Sequence, residues 1–247
     1  MSLWARASRA VRIPQALSRR RLLSTASIPV VYEDDHVKLL SMPVTPLAMN
    51  QYLLGCKKTG SACIIDSGDS DGQRWIDAAS AHDLTITKLL QTHGHVDHVS
   101  GLANMKDLLA PIDVYACPDD WIIFKSAPAQ GLMFGLTCPS PPSIDVDVHD
   151  GDEIKVGNLK LEAMFTPGHS PGHLSFYMPE HSLLLVGDLL FKGSVGRTDF
   201  PGCSVEAMKS SLKRVSSLPP DTLVWPGHMG PTTISDELLS NPFLQKH

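Results

Sequence analysis

Residues 92–98 read Thr92-His93-Gly94-His95-Val96-Asp97-His98, and nothing in core packing asks for three imidazoles and a carboxylate at such close spacing. Histidine has only an intermediate preference for burial, and neighbouring imidazoles repel one another once protonated. A divalent cation resolves the conflict, because neutral imidazole nitrogen and carboxylate oxygen are natural ligands for it. The cluster follows directly on a strand-like run at 85–90. The fold must therefore set a strand end against a metal site.

Three more candidates sit just past strand-like runs: His169 in Thr166-Pro167-Gly168-His169, Asp188 in Val186-Gly187-Asp188, and His228 in Trp225-Pro226-Gly227-His228. Residues beyond strand ends gather at one rim of an α/β sheet, and a Gly or Pro beside each shapes a tight turn. The set His93, His95, Asp97, His98, His169, Asp188 and His228 exceeds what one tetrahedral ion takes and suits two, with a carboxylate between them. One ion would take His93, His95, His169 and Asp188, and the other Asp97, His98, Asp188 and His228. With only nitrogen and oxygen donors, the expected cofactors are two divalent ions, zinc in first place, with iron or manganese also compatible.

The hydrophobic pattern is that of an α/β protein. Apolar runs at 37–41, 51–55 and 62–65 predict strands, 73–82 a helix, 85–90 a strand, and 98–109 a helix stopped by Pro111. Residues 126–143, rich in Pro, Gly and small side chains without a clear period, predict a long loop over one face. Strands at 153–156, 159–165, 174–178 and 183–186, a helix at 205–215, a strand at 222–225 and a short helix near Asp236 complete the pattern. Two sets of strands, each with helices nearby, predict a layered sandwich built as one domain over residues 29–247, with no internal repeat.

Residues 1–28 have a different composition. Arg6, Arg9, Arg12, Arg19, Arg20 and Arg21 all precede the first acidic residue, Glu33. An Arg-rich, Ser-containing, acid-free start has the character of an organellar transit peptide, with the mitochondrion as the expected destination ahead of the plastid or cytoplasm. Setting those six arginines aside takes the formal charge from −5 to −11. So acidic a remainder repels phosphate backbones and anionic headgroups, and neither nucleic acid nor a membrane is an expected partner. The five cysteines are odd in number and lack CxxC spacing, which argues against a disulfide framework.

The run Thr-His-Gly-His-Val-Asp-His, followed by separated His, Asp and His, resembles the metallo-β-lactamase superfamily. That resemblance implies a four-layered αβ/βα sandwich with metals at one edge. Met49-Asn50-Gln51-Tyr52-Leu53, Ile65-Asp66-Ser67-Gly68, the segment from Thr166 to His173 and the segment from Gly187 to Gly193 are similar to glyoxalase II, the hydroxyacylglutathione hydrolases. The loop from Gly196 to Gly202 and the ending Asn241-Pro242-Phe243-Leu244 resemble the compact, single-domain form of that enzyme. The resemblance covers essentially everything after Pro29.

It implies hydrolysis of a small glutathione thioester, S-lactoylglutathione or a related acylglutathione, by a hydroxide bridging two metals. Asp97 and Asp188 would be the catalytic carboxylates, Asp97 orienting the hydroxide. Because both the chain and glutathione are acidic, a local cation must meet the substrate. Arg197 in its Gly-flanked loop is the first candidate and Lys192 the second. Asp66 is expected to hydrogen-bond a ligand imidazole. His173, four residues after His169 across Ser-Pro-Gly, is expected to support the site without ligating, since that linker forbids a regular helix. The rival within the same superfamily is a persulfide dioxygenase, in which His93, His169 and Asp188 would hold a single iron.

Overall fold

The computed structural model describes residues 27–244. The transit-peptide segment, apart from its last two residues, lies outside the described residues. Ile28, grouped with that segment by composition, is buried in the core beneath the first sheet.

Two sheets stack face to face with helices outside each. The first holds seven strands in sequence order: β1 (Val30–Glu33), β2 (Val37–Val44), β3 (Met49–Cys56), β4 (Ser61–Ile65), β5 (Thr85–Leu90), β6 (Val114–Ala116) and β7 (Val146–Asp147). Helices α1 (Gly72–Ala81), α2 (Val96–Val99), α3 (Leu102–Leu109) and α4 (Trp121–Phe134) belong to this half. The second sheet draws on β8 (Glu153–Val156), β9 (Leu159–Phe165), β10 (Leu174–Met178) and β11 (Leu183–Gly187). After a small ribbon of β12 (Leu190–Phe191) and β13 (Ser194–Val195) and helix α5 (Val205–Ser216), it adds β14 (Leu223–Pro226) and β15 (Thr232–Thr233). Its spatial order is β15-β14-β11-β10-β9-β8, and α6 (Ile234–Ser240) closes that side.

The strand period of two sends alternate side chains to opposite cores. In β3, Tyr52 and Leu54 enter the core between the sheets with Leu161, Phe176 and Leu185, while Leu53 joins Trp75, Met105 and Phe124 under the helices. On the far side, Leu184, Val186 and Val224 pack with Met208, Leu212 and Val215, which recur at helical spacing along α5. Sheets covered on both faces explain the unbroken apolar run Leu183-Leu184-Leu185-Val186. These layers are the expected sandwich.

Two local expectations change. Residues 126–134 are not loop but the second half of α4, which ends at Gly135 in the left-handed conformation. Pro128 and Gly131 disfavour a helix, yet Phe124, Ala127 and Gly131 are buried on one face, and tertiary burial outweighs propensity. The single helix expected over 98–109 is instead α2 and α3. Gly101 interrupts it because its amide donates to the Ser67 carbonyl at 2.8 Å and its Cα lies hard against the Asp69 backbone. The short strands β1, β6 and β7 lack the length to show a period.

Candidate metal centre

The C-terminal ends of β5, β9 and β11 and the turn after β14 bring the seven candidate ligands together. All are buried except His228, which is partly buried. Possible ligand atoms of His93, His95 and His169 lie within 4.8 Å of one another, as do those of His93, His98 and Asp188, and those of Asp97, His98 and His228. Asp188 stands between the outer groups. Its Oδ1 is 3.4 Å from His98 Nε2, and its Oδ2 is 3.5 Å from His169 Nε2 and 3.4 Å from His228 Nε2. His228 Nε2 is also 3.1 Å from Asp97 Oδ2.

Close backbone approach makes this convergence possible. Gly187 has φ +56°, and a Cβ there would sit 2.7 Å from His173 Nε2. At Gly227 a Cβ would sit 2.1 Å from Asp188 Oδ1. A side chain at either position would push the Asp188 carboxylate or its support out of place.

The electrostatics are those of a site arranged for a cation. Burial, then the neighbouring imidazoles, holds His93 well below the usual histidine range, and the same causes bring His95 down to about 3. Burial opposes ionisation of Asp188, yet His98, His228 and His169 overcome it and keep the carboxyl far below its ordinary value. Burial also depresses His98, but Asp188, Asp66 and Asp97 carry it well above 6.5. Buried His93 Nε2, His98 Nε2 and Asp188 Oδ1 find no hydrogen-bond partner, although the last two face each other. Their three residues make up one of the ligand groups. Orphaned buried polar atoms are costly, and two divalent ions sharing Asp188 would satisfy all three. The residues present fit a metal.

The family model of the metallo-β-lactamase superfamily matches residues 44–228. The chain belongs to that superfamily. A hydroxyacylglutathione hydrolase of Haemophilus influenzae is 35% identical over 211 residues, spanning 82% of this chain and 96% of that protein. The mitochondrial persulfide dioxygenase ETHE1 of Homo sapiens is 30% identical, over 78% of this chain and 70% of its own. Among solved structures, TTHA1623 in a di-iron-bound form superposes with a TM-score of 0.76 at 36% identity, covering 83% of this chain and all of that one.

Around the candidate ligands of this metallo-β-lactamase-fold centre lies a shell of hydrogen bonds. Asp66 Oδ2 accepts from His98 Nδ1 at 2.8 Å, and its Oδ1 accepts from the Thr92 amide at 2.8 Å. His173 is fully buried and does not join the ligand groups. Its Nε2 accepts the Asp188 amide at 3.0 Å, which leaves Nδ1–H to donate to Thr166 Oγ1 at 2.9 Å. The Arg197 carbonyl lies 2.9 Å from His169 Nδ1 and fixes that ring.

The two candidate substrate cations are placed differently. Arg197 lines the metal-facing cleft, but its guanidinium is exposed, forked onto Asp199 at 2.6 and 2.8 Å and stacked over Phe200 at 3.7 Å. To grip a substrate carboxylate it would have to leave Asp199. Lys192 is exposed and lines no wall of this cleft.

Sequence reasoning missed Asp120. Its carboxylate, buried just before α4, accepts the Gly94 amide at 2.5 Å and the Gly172 amide at 2.8 Å. It thereby ties the loop bearing His93 and His95 to the loop bearing His169. Burial raises its carboxyl, and the two amides and Ser170 pull it part of the way back. No motif marks it, because its partners lie 26 and 52 residues away.

Proposed function

We propose that this chain hydrolyses thioesters of glutathione, hydroxyacylglutathione among them, at a two-metal centre. The observation that carries the reading is the complete group of Asp97, His98 and His228 beside the group of His93, His95 and His169, with Asp188 between them. A one-iron dioxygenase needs only three of these residues and leaves His95, Asp97, His98 and His228 without a task. The hydrolase relative from Haemophilus influenzae supports the thioester and glutathione parts of the proposal.

His93, His95 and His169 would hold one ion, Asp97, His98 and His228 the other, and Asp188 would serve both. Divalent ions so held would supply Lewis acidity and ionise water near neutral pH. The cleft is walled by His95, Asp97, His169, Asp188, Arg197 and His228 among others, with no serine, cysteine, threonine or lysine in its wall. The attacking group is accordingly water.

Asp97 is kept ionised, because His98 and His228 outweigh its burial, and it faces the cleft where it orients that water. Water adds to the thioester carbonyl carbon, the carbon–sulfur bond breaks, and an acid and a thiol result. The departing thiolate belongs to a weak acid of pKa about 8.5 and leaves without a general acid.

We also propose the mitochondrion as the site of action, on the composition of residues 1–28. The test of function is release of free thiol from S-lactoylglutathione by the metal-loaded chain, repeated with Asp97→Ala. Hydrolysis that the variant loses supports the proposal, and the absence of hydrolysis by the parent overturns it.

A further inference from the structure

Beside the metal-facing cleft lies a second cavity of about 470 Å³ between α4 and the turn at 200–202. Its walls are Ile122, Ile123, Met133, Phe134, Phe200 and Pro201, and His95 stands at its inner end. It shares a wall with the cleft. His95, Gln130, Phe134 and Phe200 line both, and the Phe200 ring meets His95 edge-on at 5.8 Å and Phe134 at 6.2 Å.

Beyond His95, which belongs to the metal centre, the lining offers little to a polar guest. Gln130 spends its amide nitrogen on Ser126 Oγ at 2.8 Å and its carbonyl oxygen on the Val96 amide at 3.1 Å. The Ser126 hydroxyl donates to the Ile123 carbonyl at 2.8 Å. Neither Lys nor Arg is in the wall, and Arg197 at the cleft is already forked onto Asp199. Glutathione, with two carboxylates and an ammonium, would lose hydration there without compensation. An apolar chain would lose nothing.

Met133 is 76% and Ile122 70% exposed, so large apolar side chains stand in water at the rim of an otherwise acidic protein. Apolar surface of this kind, contiguous with a reactive centre, marks a place for apolar ligand. A cavity of 470 Å³ is of the size that holds a drug-sized molecule. A lactoyl group is far smaller and would set its hydroxyl against a mostly apolar wall.

We infer that the cavity receives the acyl chain of the substrate, and that the preferred thioesters carry unbranched apolar acyl groups longer than lactoyl, with the thiol carrier held outside it. The inference rests on the thioesterase reading and sharpens its substrate class. His95 and the metal ligands then lie where the chain's carbonyl end emerges, and Phe134 and Phe200 screen that end from bulk water.

The test compares lactoyl, acetyl, butyryl, hexanoyl and octanoyl glutathione with the metal-loaded full chain. The expected result is kcat/KM rising about fourfold per added methylene until the cavity is filled. Ala129→Phe, at an exposed helical position on the cavity wall, removes that rise, and Met133→Glu at the rim does the same without adding bulk. Displacement of a fluorescent apolar dye by octanoate gives a second readout on the metal-free protein, weakened in both variants. A series that is flat in the parent, with other thioesters cleaved, overturns the acyl-chain assignment and leaves the thioesterase reading standing. No cleavage of any thioester overturns both. A dimer in solution that Met133→Glu splits assigns the cavity to a second copy of the chain and overturns the inference.

Discussion

Asp66 Oδ2 accepts a hydrogen bond from His98 Nδ1 at 2.8 Å while Asp66 Oδ1 holds the Thr92 amide at 2.8 Å, so one carboxylate both orients an imidazole and anchors the strand end that carries its neighbours. With Nδ1 donating to Asp66, Nε2 is the nitrogen left to ligate a metal, and it faces Asp188 and Asp97. Asp66→Asn keeps the shape and tolerates the left-handed backbone at φ +59°. It lowers metal affinity by roughly 10- to 100-fold, read by competition with a chromogenic chelator. Unchanged affinity would reduce Asp66 to a turn residue.

Metal removal exposes how much of the fold depends on the centre. The orphaned atoms of His93, His98 and Asp188 and the crowded imidazoles are tolerated more cheaply when a cation satisfies them. Ligand linkage gives about 4 kcal/mol when free zinc exceeds its Kd a thousandfold, or roughly 10 °C in Tm for a domain of this size. Thermal melts with chelator and with zinc check it, and coincident melts would contradict it.

Asp120→Ala leaves the Gly94 and Gly172 amides without an acceptor in a buried place. The expected cost is about 3 kcal/mol in urea unfolding, with Asp120→Asn costing less because one acceptor remains. Metal affinity falls in parallel, since both ligand loops lose their tie. A surface-like change below about 0.5 kcal/mol would show that the loops hold themselves.

Stability toward acid carries a contribution from Asp34. Partial burial raises its carboxyl, but the Val37 and His36 amides and the His181 and Tyr32 side chains overcome that and bring it down to about 2. A carboxyl depressed on folding contributes stability that is complete above its unfolded pKa near 4 and fades as pH falls towards 2. Asp34→Asn therefore costs about 1 kcal/mol at pH 7, a figure reduced for solvent screening, and the difference from the parent disappears between about pH 4 and pH 2. Urea unfolding at several pH values measures it.

The candidate ligand set was legible because four members crowd into residues 93–98 after a strand and the other three each follow a Gly at the end of an apolar run, where local sequence dictates both the strand and the turn. The support around it was legible only in part. Asp66 sits in a turn and His173 next to a strand, so their neighbourhood could be read, whereas Asp120 depends on contacts made by distant loops. Arg197 shows the limit most plainly. Its charge suggested a clamp for an anion, but the neighbouring Asp199 occupies the guanidinium, and it is the backbone carbonyl that reaches His169. The second half of α4 was hidden by Pro128 and Gly131, and with it the apolar cavity, because that helix is held by burial of Phe124 and Ala127.

The most direct measurement runs one metal-loaded sample against S-lactoylglutathione and S-octanoylglutathione for thiol release, and against glutathione persulfide in an oxygen electrode, with metal content determined on the same protein. The account predicts about two metals per chain, thiol release from thioesters and no oxygen uptake. One iron per chain with oxygen consumed and no thioester cleaved would contradict it and assign the centre to persulfide oxidation.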